Sequence, residues 1–171
     1  ALFALAGQVK RFQNGNVYMK IHTENLTVAQ KSYILLRKTF HAKIETTVRS
    51  HNPQAGTGSF SVFVFRKNDV INILKAVKII DEQKKQWGNF LCVHHMVVQN
   101  TCCKRAFLRG VFMAAGSVTN PEKAYHLELA VLSEELAGQI REIISSFMID
   151  AKIARRKKYY VVYIKESSQI V

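Results

Sequence analysis

The residues best suited to chemistry in this sequence are three cysteines and two histidines that lie close together in the chain. Thiolates and imidazoles bind zinc, and structural zinc sites usually place such ligands in pairs roughly two to four residues apart. Here C-x-H-H is followed, after a gap of six residues, by C-C, and this spacing matches no such pattern. We therefore predict no metal and no cofactor, and packing roles for these side chains. They are Cys92, His94, His95, Cys102 and Cys103.

A catalytic thiol is the second chemical possibility. Cys103 is followed by Lys104 and Arg105, and neighbouring cations lower a thiol pKa. The sequence contains no Gly-rich phosphate loop, no HExxH and no GxSxG that would supply the rest of an active site. A cysteine in an apolar helix is more often inert, and we do not expect catalysis here. Three cysteines, two of them adjacent, also fit a reducing cytoplasm better than a disulfide framework.

The charge balance points to a polyanionic partner. Lysine and arginine number 25 against 12 acidic residues, which gives a formal charge of +13. A field of that sign attracts nucleic acid first and anionic membranes second. No apolar run approaches the roughly 18 residues of a membrane span, so we predict double-stranded DNA as the partner and no membrane. A globular protein that happens to be basic is the alternative.

Three stretches show the residue spacing of amphipathic helices. Thr27 and Gln30 predict a capping box at the first, and Asp69 predicts the N-cap of the second. The predicted apolar faces are Val28, Leu35, Leu36 and Phe40; Val70, Ile73, Leu74 and Val77; and Leu136, Ile140, Ile143, Ile144 and Phe147.

The sequence contains a repeat. Residues 16–49 and 124–156 each read as an alternating strand, a helix ending near a phenylalanine, and a strand opening Ala-Lys-Ile. Tyr18 pairs with Tyr125 at an offset of 107 residues (125 − 18). Each half therefore reads helix, hairpin, helix, hairpin, helix.

Further strands complete this order of elements. SFSVFVFRK and YYVVYIK alternate, and the latter follows a predicted tight loop at residues 155–158. We predict a first repeat at residues 1–86, a connector at 87–101 and a second repeat at 102–171. The last helix of the second repeat is expected to be missing, because the chain stops at Val171.

An apolar helix precedes the first strand in each half: ALFALAG and CCKRAFLRGVFMAAG. Ala106, Gly110 and Ala114 recur every four residues and form a row of small side chains, which lets two helix backbones approach closely. We predict that this row and Ala4 form the interface between the repeats along a pseudo-twofold axis. A buried helix beside a bulky neighbour is the alternative.

LRGVFMAAG, residues 108–116, resembles the LAGLIDADG helix of one class of homing endonuclease. CCKRAFLRGVFMAAGSV with PEKAYHLEL, TEN ahead of YILLRK, and ARRKKYYVVYIKE further resemble the bacterial WhiA regulators. The resemblance implies an α+β fold of two tandem LAGLIDADG-like repeats, with saddle-shaped antiparallel sheets and helices on one face. It also implies that this chain is an N-terminal portion, without the family's C-terminal helix-turn-helix domain.

The resemblance also bears on catalysis. Endonucleases of this fold place an acidic residue near the base of each paired helix, where the two carboxylates hold a divalent metal that activates water. Alignment of Leu108 with the motif puts Ala115 at that position, and two registers of the first helix put Val9 or Phe12 there. None of these side chains can bind a metal, so we predict no phosphodiester cleavage.

If the saddle lies on DNA, the sheet face opposite the helices must be polar, and its basic residues would contact phosphates. For any one of them, a solvated surface charge is the alternative. The predicted DNA-contacting residues are Lys20, His22, Lys43, Arg49, Arg66, His126, Lys152, Arg155, Arg156 and Lys157.

The sequence thus predicts a non-catalytic module of a WhiA-like DNA-binding transcriptional regulator involved in sporulation and cell division. The expected location is the bacterial cytoplasm, at the nucleoid, with other transcription or division proteins as further partners. A LAGLIDADG endonuclease that cuts double-stranded DNA with a divalent metal is the first alternative. A protein-interaction scaffold without DNA contact is the second.

Overall fold

The computed structural model describes residues 1–13, 15–52, 57–81, 86–87, 92–119 and 126–170. Two compact units divide the chain, a first unit of Leu2–Asn89 and a second unit of Phe90–Val171. Both combine helices with an antiparallel four-stranded sheet, which confirms the predicted α+β class. The predicted boundaries at residues 86 and 102 stay predictions. Tyr125, the predicted partner of Tyr18 in the repeat, lies outside the described residues.

The first unit follows the predicted order of helix, hairpin, helix, hairpin, helix. Its strand order is β1-β2-β4-β3, with antiparallel pairing between every pair of neighbours. A short β5–β6 ladder follows. The elements are α1 (Leu2–Ala6), β1 (Gly7–Arg11), β2 (Val17–Thr23), α2 (Leu26–Phe40), β3 (Ile44–Asn52), β4 (Thr57–Val64), α3 (Lys67–Ala76), β5 (Ile80–Asp81) and β6 (Gln86–Trp87).

Helix α2 begins earlier than its predicted capping box. The N-cap is Asn25, whose side-chain oxygen accepts from the backbone N–H groups of Thr27 and Val28 at 2.9 and 3.3 Å. Asparagine at this position satisfies amides that have no partner within the helix, so Thr27 is not needed as a cap. Val28 and Leu36 are buried as predicted, whereas Leu35 is 45% exposed.

Helix α3 also begins before its predicted cap. Its N-cap is Arg66, and Asp69 lies in the first turn. A carboxylate there interacts favourably with the positive end of the helix dipole. Asp69 also accepts a hydrogen bond from the backbone N–H of Lys43 at 3.1 Å, which ties the start of β3 to α3. Val70, Ile73 and Leu74 are buried as predicted.

The second unit repeats the same order. Its sheet order is β7-β8-β10-β9, again antiparallel throughout. The final helix, predicted to be missing, is present as one short turn. The elements are a 3₁₀ turn (His95–Val98), α4 (Thr101–Ala115), β7 (Gly116–Val118), β8 (Leu127–Val131), α5 (Glu134–Ser145), β9 (Lys152–Arg156), β10 (Tyr159–Ile164) and α6 (Ser167–Ile170).

Helix α5 confirms four of the five residues of its predicted apolar face; the fifth, Phe147, lies beyond the helix, which ends at Ser145. Leu136, Ile140, Ile143 and Ile144 are buried against the sheet. Each such burial contributes roughly 1.5–3 kcal/mol. The N-cap Ser133 accepts from the backbone N–H of Leu136 at 3.2 Å. No helix among the described residues is both long and apolar enough to cross a membrane.

Candidate nucleic-acid interface

In each unit one face of the sheet packs against helices and the other faces away from them. In the first sheet the alternation along β2 buries Val17, Met19 and Ile21 under the helices. Tyr18 and Lys20 therefore lie on the opposite face, which we call the open face. The antiparallel registers then assign each of the remaining strand residues to the helix-covered face or to the open face.

The open face of the first sheet brings together basic residues from three strands. Lys20 pairs with Phe63 on β4, and Arg49 pairs with Ser59 farther along the same strand. Lys10 pairs with Tyr18, so it also lies on this face, next to Lys20 on β2. Lys10 and Arg49 are exposed and Lys20 is half-buried. The sequence prediction missed Lys10 because it assigned the opening stretch to a helix.

His22 lies on this face as predicted, but it has a partner within the protein. Its Nδ1 and the Oγ of Ser61 are 3.0 Å apart and share a hydrogen bond. One acidic residue, Glu45, lies on the same face opposite Phe63. Among the described residues, the cations of this open face that form no ion pair within the protein are Lys10, Lys20 and Arg49.

Two predicted contact residues of the first unit lie outside the strands. Lys43 precedes β3, and its backbone is bound to Asp69. Arg66 was predicted to end its strand, but β4 ends at Val64 and Arg66 is the N-cap of α3. Both side chains are exposed at the end of the sheet where β4 leads into α3.

The open face of the second sheet carries an ion-paired cluster. Glu128 on β8 lies 2.8 Å from the guanidinium of Arg156 and 3.2 Å from Nε2 of His126. The His126 contact lacks the alignment of a hydrogen bond and is an ion pair only when the imidazole is protonated. Lys152, on the same face, lies 3.8 Å from Asp150. The cations of this face are therefore partly neutralised.

Arg155 does not lie on this open face. Successive strand residues point to opposite faces, and β9 runs through both Arg155 and Arg156. Arg155 pairs with Tyr160, and its guanidinium lies 5.9 Å from that ring on the helix side. The predicted tight loop at residues 155–158 is in fact shorter, a two-residue turn at Lys157 and Lys158. Lys157 has a φ of 55° and is exposed there.

The helices that open the two units end in the same pattern, F-x-x-x-G. Helix α1 ends at Ala6 with Gly7 opening β1, and α4 ends at Ala115 with Gly116 opening β7. Ala6 is thus the counterpart of Ala115, and the two predicted registers for the first helix were wrong. Val9 is a strand residue and Phe12 follows that strand.

Glycine follows each of these helices for a steric reason. A Cβ on Gly116 would lie 2.6 Å from the carbonyl oxygen of Phe112 and closer still to its ring. A Cβ on Gly7 would meet the carbonyl and ring of Phe3 in the same way. The chain turns from helix to strand so sharply that only a residue without a side chain fits.

The row of small residues lies on α4 as predicted. Phe107 and Val111 are the buried residues of that helix, whereas Ala106 is exposed and Gly110 and Ala114 are half-buried. Ala4 is half-buried in α1. A role of this row in joining the repeats stays a prediction.

The two adjacent cysteines of α4 lie close together. The thiols of Cys102 and Cys103 are 3.9 Å apart, and the hydrogen bond between them raises the pKa of Cys103. The sequence offered a lowered thiol pKa at Cys103 only as a possibility, and the direction found is the opposite. Among the described residues no cluster of histidine, cysteine and acidic side chains could hold a metal ion.

A cavity of about 520 Å³ lies on the helix side of the first sheet, between α2 and the β3–β4 hairpin. Its lining is mainly apolar and includes Leu26, Tyr33, Ile34, Val48 and Phe60. Its lining contains no acid–base pair and lies away from the basic open face. The cavity therefore contributes no residue to the candidate nucleic-acid interface.

Known structures share this architecture. The crystal structure of the N-terminal LAGLIDADG domain of DUF199/WhiA has a TM-score of 0.66 at 21% identity, covering 99% of this chain and 73% of that one. Full-length DUF199/WhiA from Thermatoga maritima gives 0.65 at 19% identity, covering 99% and 49%. I-DmoI in complex with DNA and Mn gives 0.61 at 13% identity, covering 99% and 89%. The fold is that of the LAGLIDADG proteins.

Sequence relatives show to which family of LAGLIDADG proteins the chain belongs. The model of the WhiA N-terminal LAGLIDADG-like domain matches residues 1–80, and that of the WhiA LAGLIDADG-like domain matches residues 104–171. The probable cell division protein WhiA of Lachnoclostridium phytofermentans is 44% identical, over 100% of this chain and 54% of its own length. That of Alkaliphilus oremlandii is 37% identical, over 90% and 48%. The chain belongs to the WhiA family and spans about half the length of these relatives.

Proposed function

We propose that this chain is the non-catalytic N-terminal module of a DNA-associated WhiA regulator and that its open sheet faces contact duplex DNA. The observation that carries the proposal is the group of cations on the first open face, Lys10, Lys20 and Arg49. The formal charge of +13 supports a polyanionic partner. A neighbour of the same fold was crystallised with DNA.

The chemistry of such a contact is electrostatic. Lysine and arginine on an exposed sheet face bind phosphate oxygens, which positions a protein on DNA without reading its sequence. Each phosphate contact releases condensed counterions, so the binding must weaken steeply with salt. The second open face contributes less, because Glu128 neutralises part of its positive charge.

We further propose that the module does not cut DNA. The helix ends that correspond to the metal-binding positions of the endonucleases carry Ala6 and Ala115. Mg²⁺ requires oxygen ligands, and a methyl side chain supplies none. The relatives of this chain are named as cell division proteins. For the full-length protein we propose that role, and also a part in transcription and sporulation at the nucleoid.

Salt-dependent binding of duplex DNA tests the contact. In Lys10→Gln/Lys20→Gln the loss of two phosphate contacts should make the slope of log K against log salt shallower by about 1.8. Lys31→Gln/Lys38→Gln removes the same charge from exposed positions of α2 and should leave the slope near that of the unaltered chain. Equal slopes for the two variants would refute contact through the open face.

Two outcomes would favour the other functions. Metal-dependent nicking of a plasmid that stops with EDTA would establish an endonuclease. Failure of this chain to bind duplex DNA even at low salt would refute duplex contact and favour a protein-interaction scaffold.

A further inference from the structure

Four aromatic side chains form a continuous cluster at one end of the first open face. The ring of Tyr18 lies 5.5 Å from that of Phe12 and 5.7 Å from that of Phe65. Phe63 stacks on Phe65 at 5.4 Å with an interplanar angle of 7°. These residues come from β2 and from the ends of β1 and β4, and we call them the aromatic cluster.

The aromatic cluster is open to solvent. Phe12 is 52% exposed and Phe65 is 48% exposed. Exposed aromatic groups in contact with one another are a contiguous apolar patch, and such patches mark binding sites more often than isolated exposed residues do. The hydrophobic core of this unit lies on the other side of the sheet, under α2 and α3.

The second sheet has only part of this aromatic cluster. In the second sheet, Tyr163 pairs with Glu128 as Phe63 pairs with Lys20 in the first. The residue two places after Tyr163 is Lys165, where the first sheet has Phe65. The second unit thus keeps a ring contact, between His126 and Tyr163 at 5.7 Å, but has a cation where Phe65 stacks on Phe63 in the first. The stack of Phe63 on Phe65 is therefore specific to the first unit and is not required by the sheet.

Charges beside the cluster indicate the nature of the ligand. The Lys20 ammonium lies 5.6 Å from the centre of the Phe63 ring. Lys10 pairs with Tyr18 across the β1–β2 ladder, and Arg66 directly follows Phe65. Flat apolar surfaces flanked by cations complement a ligand with flat rings and negative charge, which is the composition of a nucleotide chain.

We propose that the aromatic cluster stacks on unpaired bases of a single-stranded nucleic acid while Lys10 and Lys20 hold its phosphates. In a duplex the faces of the bases are covered by their neighbours, so stacking on protein rings requires an unpaired strand. This activity goes beyond duplex contact and does not depend on it.

The test compares two oligonucleotides of equal length and charge, one a run of thymidines and the other built from abasic sugar–phosphate units. The 171-residue chain should bind the base-containing strand about fivefold more tightly or better, since stacking one base on an aromatic ring strengthens binding by at least about that factor. Phe12→Leu/Phe65→Leu removes the two most exposed of the four rings, so this preference should fall at least severalfold. Leucine keeps the apolar surface but removes the ring.

The control is Ile34→Ala/Leu35→Ala, which alters two exposed apolar residues on α2 and should keep the preference. Thermal melts of both variants check that folding is intact. Equal binding of the two oligonucleotides by the unaltered chain, or no binding of either, overturns the proposal. A preference that Phe12→Leu/Phe65→Leu leaves undiminished also overturns it. Neither result affects duplex binding, which the salt slope of Lys10→Gln/Lys20→Gln measures separately.

Discussion

Replacing two glycines of the second unit by alanine should change stability in opposite directions. At Gly116 the added methyl would lie 2.6 Å from the Phe112 carbonyl oxygen, and backbone atoms cannot yield as a side chain can. At Gly138, in α5, the methyl meets nothing within 4 Å outside its own helix. The same chemical change therefore adds strain at one site and only restricts the unfolded chain at the other.

The expected magnitudes follow from these contacts. Overpacking of this kind costs about 1–3 kcal/mol, so Gly116→Ala should lower the free energy of unfolding by that amount. Alanine is the better helix former, so Gly138→Ala should raise it by roughly 0.5–1 kcal/mol. For a chain of this size each kcal/mol moves the melting temperature by about 2–4 °C.

Urea unfolding and thermal melts of the two variants measure the predicted loss and the predicted gain of stability, both within the second structural unit. If the units melt separately, the transition that moves should be that of the second unit. A Gly116→Ala variant as stable as the unaltered protein would refute the steric explanation of the helix-to-strand turn. A Gly138→Ala variant that loses stability would show that the space beside Gly138 is not open.

Asn25→Ala removes the side-chain oxygen that caps α2 and should lower the free energy of unfolding by about 1 kcal/mol in urea titrations; no loss would exclude this cap. Glu128→Gln removes the ion pair of the Arg156 guanidinium. The affinity for duplex DNA at low salt should then rise, and the slope of log K against log salt should steepen by about 0.9. An unchanged slope would mean that Arg156 makes no phosphate contact. The hydrogen bond between the Cys102 and Cys103 thiols raises the pKa of Cys103 and reduces its thiolate at a given pH. Cys102→Ala should therefore move the midpoint of Cys103 alkylation, followed by mass spectrometry, to lower pH. A midpoint that stays in place or rises contradicts that cause.

Much of the fold could be read from local patterns. The spacing of Leu136, Ile140 and Ile144 predicted the buried face of α5, because a helix returns to one side every three to four residues. Strand alternation placed Lys20 opposite the core for the same kind of reason. The repeated order of elements predicted two similar units, since each stretch carries its own periodicity.

Other features depended on contacts between distant parts of the chain. Asp69, which was predicted as an N-cap, instead accepts from the backbone N–H of Lys43, a partner 26 residues away that no periodicity specifies. The partial neutralisation of Arg156 by Glu128 required β8, β10 and β9 to lie side by side.

The aromatic cluster shows the difference most clearly. Phe12, Tyr18 and Phe65 are separated along the chain, and each alone reads as an ordinary apolar residue of a strand or its end. They meet because the order β1-β2-β4 brings three strands to one end of the sheet. Periodicity assigns a side chain to a face, but strand order and register decide which residues of that face become neighbours.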